Sequence, residues 1–251
     1  HSDWDHTLET DAMTLHPQQQ PAIRLGLRLV NQLSHAGATR ILQQRRRRPF
    51  ASLADFTRRC PLTKTDSDAL AHANALRSLS AHRFQARWDM QGLQHESPLV
   101  RQEQQQETPV QLPAPSAAQS LAEDYRSTGL TLGPHPMALL RQHPALRGCK
   151  RHRDLPSLRH KQFVKIAGIV TGRQRPGTAT GVVFLTLEDE TGNSNIVVWA
   201  DLVTRYRAQV LHARLLRVKG VIEKEGDVIH IIAGHLEDIT PLLGDLDTHS
   251  R

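Results

Sequence analysis

At Phe163 the spacing of apolar residues shifts from about 3.6 to 2, so one kind of secondary structure cannot serve both halves of the chain. Beyond that point Val164, Ile166 and Val170 fall on one face of a strand, and Lys165, Thr171 and Arg173 on the other. Val183, Leu185 and Leu187 alternate with Phe184 and Thr186 in a second strand. Ile196 to Trp199 reads as a third strand, and residues 201–210 suit a short helix. Leu216, Val218 and Ile222 alternate with Arg217 and Lys219, and Val228 to Ile232 is a fifth strand. Pro176-Gly177, Thr191-Gly192-Asn193 and Glu225-Gly226-Asp227 supply the turns. Five strands with a helix between the third and the fourth is the order of an OB-fold barrel; an SH3-like barrel lacks that helix.

Before Phe163 the pattern is helical, in short pieces. Ser34 is placed to cap a helix through Ile41 and Leu42. Ser52 with Asp55, and Thr65 with Asp68, resemble capping boxes with Asp in place of Glu. Ser80 is placed to cap a helix through Phe84, Trp88 and Met90. Helices this short do not stand alone in water, so they must pack together as an all-α unit. Leu121 to Thr128 and Met137 to Gln142 read as two further helices. The expected organisation is an α+β multidomain chain. Residues 1–21 are a tail of a preceding domain, 22–95 the helical domain, and 96–118 a Gln/Glu/Pro/Ser-rich linker or mobile loop. Residues 119–160 are a helical connector, 161–240 the five-stranded barrel, and 241–251 a C-terminal tail. Aromatic residues make up only 4% of the 251, which suits two small cores better than one large one.

Charge narrows the partners. The formal net charge is +7 and the pI about 10.0, a surface that attracts polyanions by counterion release. Nucleic acid is the expected partner ahead of an acidic membrane, because the cations are spread through folded segments and form no amphipathic stripe. The chain carries no apolar run long enough to span a bilayer and no signal-peptide pattern. Two cysteines, Cys60 and Cys149, fit a reducing cytoplasm. The opening His1-Ser2-Asp3-Trp4-Asp5 has no Met and begins inside what reads as a structured run, so a longer parent is expected.

Motifs for catalysis are thin. Asp3 and Asp5 form an Asp-x-Asp pair of the type that shares a divalent metal, with no third acid near it, and a solvated loop is the plainer reading. Cys149 and His152 have Cys-x-x-His spacing but no partner pair for zinc. No nucleophile elbow, phosphate-binding loop or dinucleotide fingerprint occurs, so no catalytic or metal site is expected in this chain. The barrel offers the better site. Its non-core face is expected to carry Lys165, Arg173, Phe184, Arg217 and Lys219, with Arg175 in the loop after strand one. Phosphates want charge and bases want a flat surface, which is what single-stranded nucleic acid requires. The run Arg45-Arg46-Arg47-Arg48 ends a helix before Pro49, where it serves the macrodipole and is also placed for phosphate contact.

Several runs resemble one family. Arg28-Leu29-Val30, Pro49 to Phe56, Ala69-Leu70 and Ala75-Leu76-Arg77-Ser78-Leu79 resemble the tandem helix-hairpin-helix domain of DnaE-type polymerases. Asp124 to Leu130 and Gly133 to Met137 resemble the stretch that follows it, and Val183 to Gly192 resembles the family's second OB strand and turn. The residues are most like the error-prone, ImuC-like branch that acts in damage-induced mutagenesis. The resemblance implies a C-terminal region of a DNA-templated DNA polymerase using Mg2+ and deoxynucleoside triphosphates. Its catalytic aspartates would lie upstream, and no cofactor is implied for this part. It further implies a helical module on duplex product and an OB module on single-stranded template. The implied partners are DNA, a Y-family-like accessory protein and, indirectly, a sliding clamp. Arg45 to Arg48, Asn74 and Arg77 are then the helical module's expected DNA contacts. Where such hairpins use Gly so that backbone N–H groups approach phosphate, this chain has Gln32 and Asn74. Gln tolerates the left-handed conformation poorly, so the first hairpin is expected to be degenerate and to serve packing or a partner. Two readings stay open beside DNA binding: a platform docking accessory mutasome proteins, and an RNA-binding OB protein.

Overall fold

The computed structural model describes residues 1–9, 21–94, 110–177 and 181–248. They form two compact units: residues 1–116 with 120–132, and residues 117–119 with 133–251. Most of the linker expected at 96–118 lies outside the described residues.

The first unit opens on a ribbon of β1 (Thr7–Glu9) and β2 (Ala22–Arg24), paired antiparallel with Leu8 opposite Ile23. The segment expected to be a tail is thus joined to this unit: Leu27 N–H donates to the Asp3 carbonyl at 2.8 Å, and Trp4 packs on the helical core. Helix α1 (His35–Arg47) starts where Ser34 Oγ accepts from Gly37 N–H, and α2 (Leu53–Arg59) where Ser52 Oγ accepts from Asp55 N–H. For α3 (Lys64–His72) the cap is Thr63, paired with Asp66, and not Thr65 with Asp68. The reason is Asp66 itself. Buried at 3% exposure, its carboxylate accepts from Ser34 N–H (2.7 Å), Ser34 Oγ and Thr63 Oγ1, so the caps of α1 and α3 share one anion. A Cβ at Gly37 would lie 2.8 Å from that carboxylate, which is why the first turn of α1 has glycine there. Helix α4 (Arg83–Gln94) begins after His82, whose Nδ1 accepts from Gln85 N–H, and not at Ser80, whose Oγ is buried without a partner among the described residues. Phe56, Leu70, Ala38 and Met90 are central to the core these helices enclose. Helix α5 (Ala117–Thr128) is held by buried Arg83, which meets Asp124 at 2.6 Å and the His72 carbonyl at 2.9 Å.

The second unit is a closed barrel of strand order β3-β4-β5-β7-β6. Its strands are β3 (Phe163–Gln174), β4 (Val183–Asp189), β5 (Gly192–Val198), β6 (Leu215–Glu225) and β7 (Val228–Asp238). Between β5 and β6 lie two short helices, α7 (Ala200–Arg205) and α8 (Arg207–His212). The OB order expected from alternation is the order observed. Leu185, Leu187, Ile196, Val218, Ile222 and Ile231 fill the barrel. A second apolar cluster covers part of the outside: Ala167 and Leu215 lie under Met137 and Leu140 of α6 (Pro136–Leu140) and under Leu242, Leu243 and Leu246 of α9 (Leu242–Thr248). The expected C-terminal tail is therefore a helix packed on the barrel. The expected connector is divided, with residues 120–132 in the helical unit and 133–160 in the barrel unit.

Candidate nucleic-acid interface

Strand register decides which side chains share a face, because paired residues point the same way. In β4 the alternation is unbroken, so Val183, Leu185 and Leu187 face in while Phe184, Thr186 and Glu188 face out. In β3 it is broken. Val170 pairs with Leu187 and Gly172 with Thr186, leaving Thr171 as an extra residue. That bulge reverses the faces beyond it. Arg173 pairs with Leu185, on the inner side, and Gln174 takes the outer place beside Phe184. The expected common face is corrected accordingly. Arg173 donates to the carbonyls of Val210 (2.8 Å) and Ala213 and closes the C-terminal end of α8 over the barrel mouth.

The remaining exterior is organised in rungs. Phe163 pairs with Val221, Val221 with Ile232, Ile232 with Val197, and Val197 with Phe184, an apolar stripe following the hydrogen bonds from strand to strand. One step along the strands, Lys165 pairs with Lys219 and Lys219 with His235. Among the described residues neither lysine has an ion pair. On the other side of the stripe Thr186, Asn195, His230 and Glu223 form a polar rung. Lys165, Lys219 and Phe184 therefore share the outside, as expected. Arg217 lies a rung further on, committed to its cross-strand partner Glu237 at 2.9 Å and to the Ala145 carbonyl, at the margin of the part that α6 and α9 cover. Arg175 is exposed just beyond β3.

Reading the residues alone missed Phe163 and Trp199, exposed at 66% and 55%. Their signal was present: Phe163 stands two before Lys165, and Trp199 two after Val197, the spacing of one strand face.

In the helical unit most of the arginine run is spent internally. Arg45 donates to the Ser2 carbonyl, Arg46 lies 3.8 Å from Asp3, and Arg48 meets Asp55 at 2.9 Å. Burial, the larger effect, pulls the Arg45 guanidinium below its ordinary range against the pull of Asp3. Arg47 is the member that stays exposed without an ion pair among the described residues. Asp55 also receives Arg58 and Arg59. Burial raises its carboxyl, but the hydrogen bonds from Arg59, Ala51 N–H and Arg58, with the charge of Arg48, outweigh that and hold it at about 2. Gln32 and Asn74 both adopt positive φ, 68° and 54°, so both hairpins keep the left-handed turn despite the missing glycines. The first is therefore intact in shape, contrary to expectation. Arg77 is exposed beside Asn74.

Among the described residues no three His, Cys, Asp or Glu side chains are grouped as a metal ion would need. Asp3 accepts from Trp4 N–H, and Asp5 pairs with Arg28. His152 Nδ1 lies 3.2 Å from Ser194 Oγ, while Cys149 packs on the outer apolar cluster, where burial pushes its thiol up. No described helix is long and apolar enough to cross a membrane.

Two family models match: a helix-hairpin-helix motif over residues 1–86 and an OB-fold nucleic acid binding domain over residues 164–239. An error-prone DNA polymerase of Pseudomonas fluorescens Pf-5 is 46% identical over all of this chain and 25% of its own length. Those of Pseudomonas aeruginosa PAO1 and Alkalilimnicola ehrlichii are each 45% identical over all of this chain and 24% of theirs. The chain thus spans about a quarter of the curated relatives it matches. Helical hairpins and barrel, in this order and matched end to end, make the chain a member of the DnaE-type error-prone DNA polymerase family, corresponding to its C-terminal region.

Proposed function

We propose that this chain is the DNA-holding region of an error-prone translesion polymerase acting in damage-induced mutagenesis, with the barrel on single-stranded template and the helical unit on duplex. The observation that carries the reading is the adjacency of two rungs on the barrel exterior, Lys165–Lys219–His235 beside Phe163–Val221–Ile232. The first suits phosphates and the second suits stacked bases. Nucleotidyl transfer with Mg2+ is then the work of the rest of the polymerase in the cytoplasm, with a Y-family-like partner and a sliding clamp as its associates. Fluorescence anisotropy with a labelled single strand at low salt tests this. Lys165→Glu with Lys219→Glu should weaken binding roughly tenfold or more, since each reversal replaces a released counterion by repulsion. An unchanged dissociation constant removes the barrel assignment, and absence of binding by the unaltered chain removes the whole reading. RNA held more tightly than DNA of equal length would favour an RNA-binding protein.

A second reading is a docking platform for accessory proteins. It is favoured by the exposed cross-strand pair of Leu8 and Ile23, 68% and 66% accessible. A pull-down with the Y-family-like partner that survives nuclease and is lost in Leu8→Asp supports it.

A further inference from the structure

The two hairpins share a backbone shape but differ in what already occupies them. At the first, Asn31 N–H donates to the Ser127 carbonyl at 2.8 Å, and Asn31 Nδ2 to the Arg126 carbonyl at 2.9 Å. Those carbonyls belong to the last turn of α5, which has no further helix to receive them. Ser34 N–H, at the start of α1, donates to the buried Asp66 carboxylate. A carboxylate on the N–H groups of a helix start is chemically the place a phosphate would take. Asp66 also accepts from Thr63 Oγ1 and Ser34 Oγ, so it is held there from two elements. A cavity beside this turn, lined by Gln32, His72, Glu123 and Arg126, holds a further carboxylate, Glu123, 2.9 Å from His72 and ion-paired with Arg126.

Among the described residues the second hairpin has no such occupants. Asn74 and Ala75 N–H donate only to carbonyls of their own α3 segment, Ala71 and Leu70. Among the described residues the N–H groups of Leu76 and Ser78 have no partner, and the Arg77 side chain is exposed and makes no ion pair. A polyanion approaching the first hairpin meets a seated carboxylate. One approaching the second meets free donors and a guanidinium.

We propose that the first hairpin is closed to DNA and serves as a clasp for α5, and that the helical unit's hairpin contact with the sugar–phosphate backbone runs through the second turn alone, at Leu76, Arg77 and Ser78. The proposal rests on the reading of this unit as DNA-binding and makes the two hairpins unequal. It is tested with the full chain and a blunt labelled duplex at low salt, comparing Gln32→Glu and Arg77→Glu, which place one acid at the tip of each turn. Arg77→Glu should raise the dissociation constant roughly tenfold, while Gln32→Glu leaves it within about twofold. Equal weakening by the two overturns the proposal, and so does an unaltered constant in Arg77→Glu while the unaltered chain binds. No binding by the unaltered chain is the separate outcome that overturns the proposed function, and the second-turn contact with it. Hydrogen exchange supplies an independent readout. Asn31→Ala should speed exchange in the last turn of α5 with duplex affinity unchanged; exchange there as slow as in the unaltered chain overturns the clasp.

Discussion

Gln32 and Asp55 show how individual residues carry strain and charge. Gln32 holds φ of 68°, a conformation that costs a side-chain-bearing residue on the order of 1–2 kcal/mol. Glycine removes that strain and gives back part of it as chain entropy, so Gln32→Gly should stabilise the helical unit by about 0.5–1 kcal/mol. A denaturant midpoint that moves down would show that the Gln32 side chain repays its strain. Asp55 sets an acid limit. Its folded-state pKa of about 2 lies below the ordinary 3.8, so its contribution is full above about pH 4 and is lost as pH falls through 2. Melting temperatures of the helical unit should drop over that interval, and Asp55→Asn should start lower and flatten the drop. A parallel pair of curves would assign the acid loss to other carboxylates.

Elements were legible where local pattern and tertiary demand agreed. Ser34 and Ser52 were identified as caps because each is the one hydroxyl before its apolar run. Thr63-x-x-Asp66 and Thr65-x-x-Asp68 are the same pattern two residues apart. Only the hydrogen bond from Ser34 N–H to buried Asp66 chooses between them, and that contact spans 32 positions. The faces of β4 followed from alternation, and those of β3 failed after Val170 because a bulge has no residue-type signature at Thr171. Rungs such as Phe163–Val221–Ile232 depend on register across three strands, which spacing within one strand does not contain. Helix α9 was missed because seven residues do not form a helix without the barrel surface beneath them. Leu246→Asp should accordingly lower barrel stability by roughly 2–3 kcal/mol through a charge set against the outer apolar cluster. A barrel melt unaffected by it would mean α9 contributes nothing to that core.

Across the whole molecule, a net charge of +7 makes binding to any polyanion salt-dependent, and the site residues decide how steeply. Replacing Lys165 and Lys219 by Gln should reduce the slope of log affinity against log salt for single-stranded DNA by about 2, one per lost phosphate contact. A slope unmoved by the double substitution would assign the salt dependence to cations elsewhere, such as Arg47 or Arg175. The chain also separates its cations by duty: Arg48, Arg59, Arg83 and Arg141 are spent on largely buried acids and Arg217 on its cross-strand Glu237, while Lys165 and Lys219 make no ion pair among the described residues. Thr171 governs part of that division. Were the strand to pair Thr171 in turn instead of skipping it, Arg173 would fall opposite Phe184 on the outer face and the carbonyls at the end of α8 would lose their donor. Changes that abolish the bulge while keeping Thr171 should therefore alter ligand preference and thermal tolerance together, whereas deletion of Thr171 alone should leave Arg173 where it is.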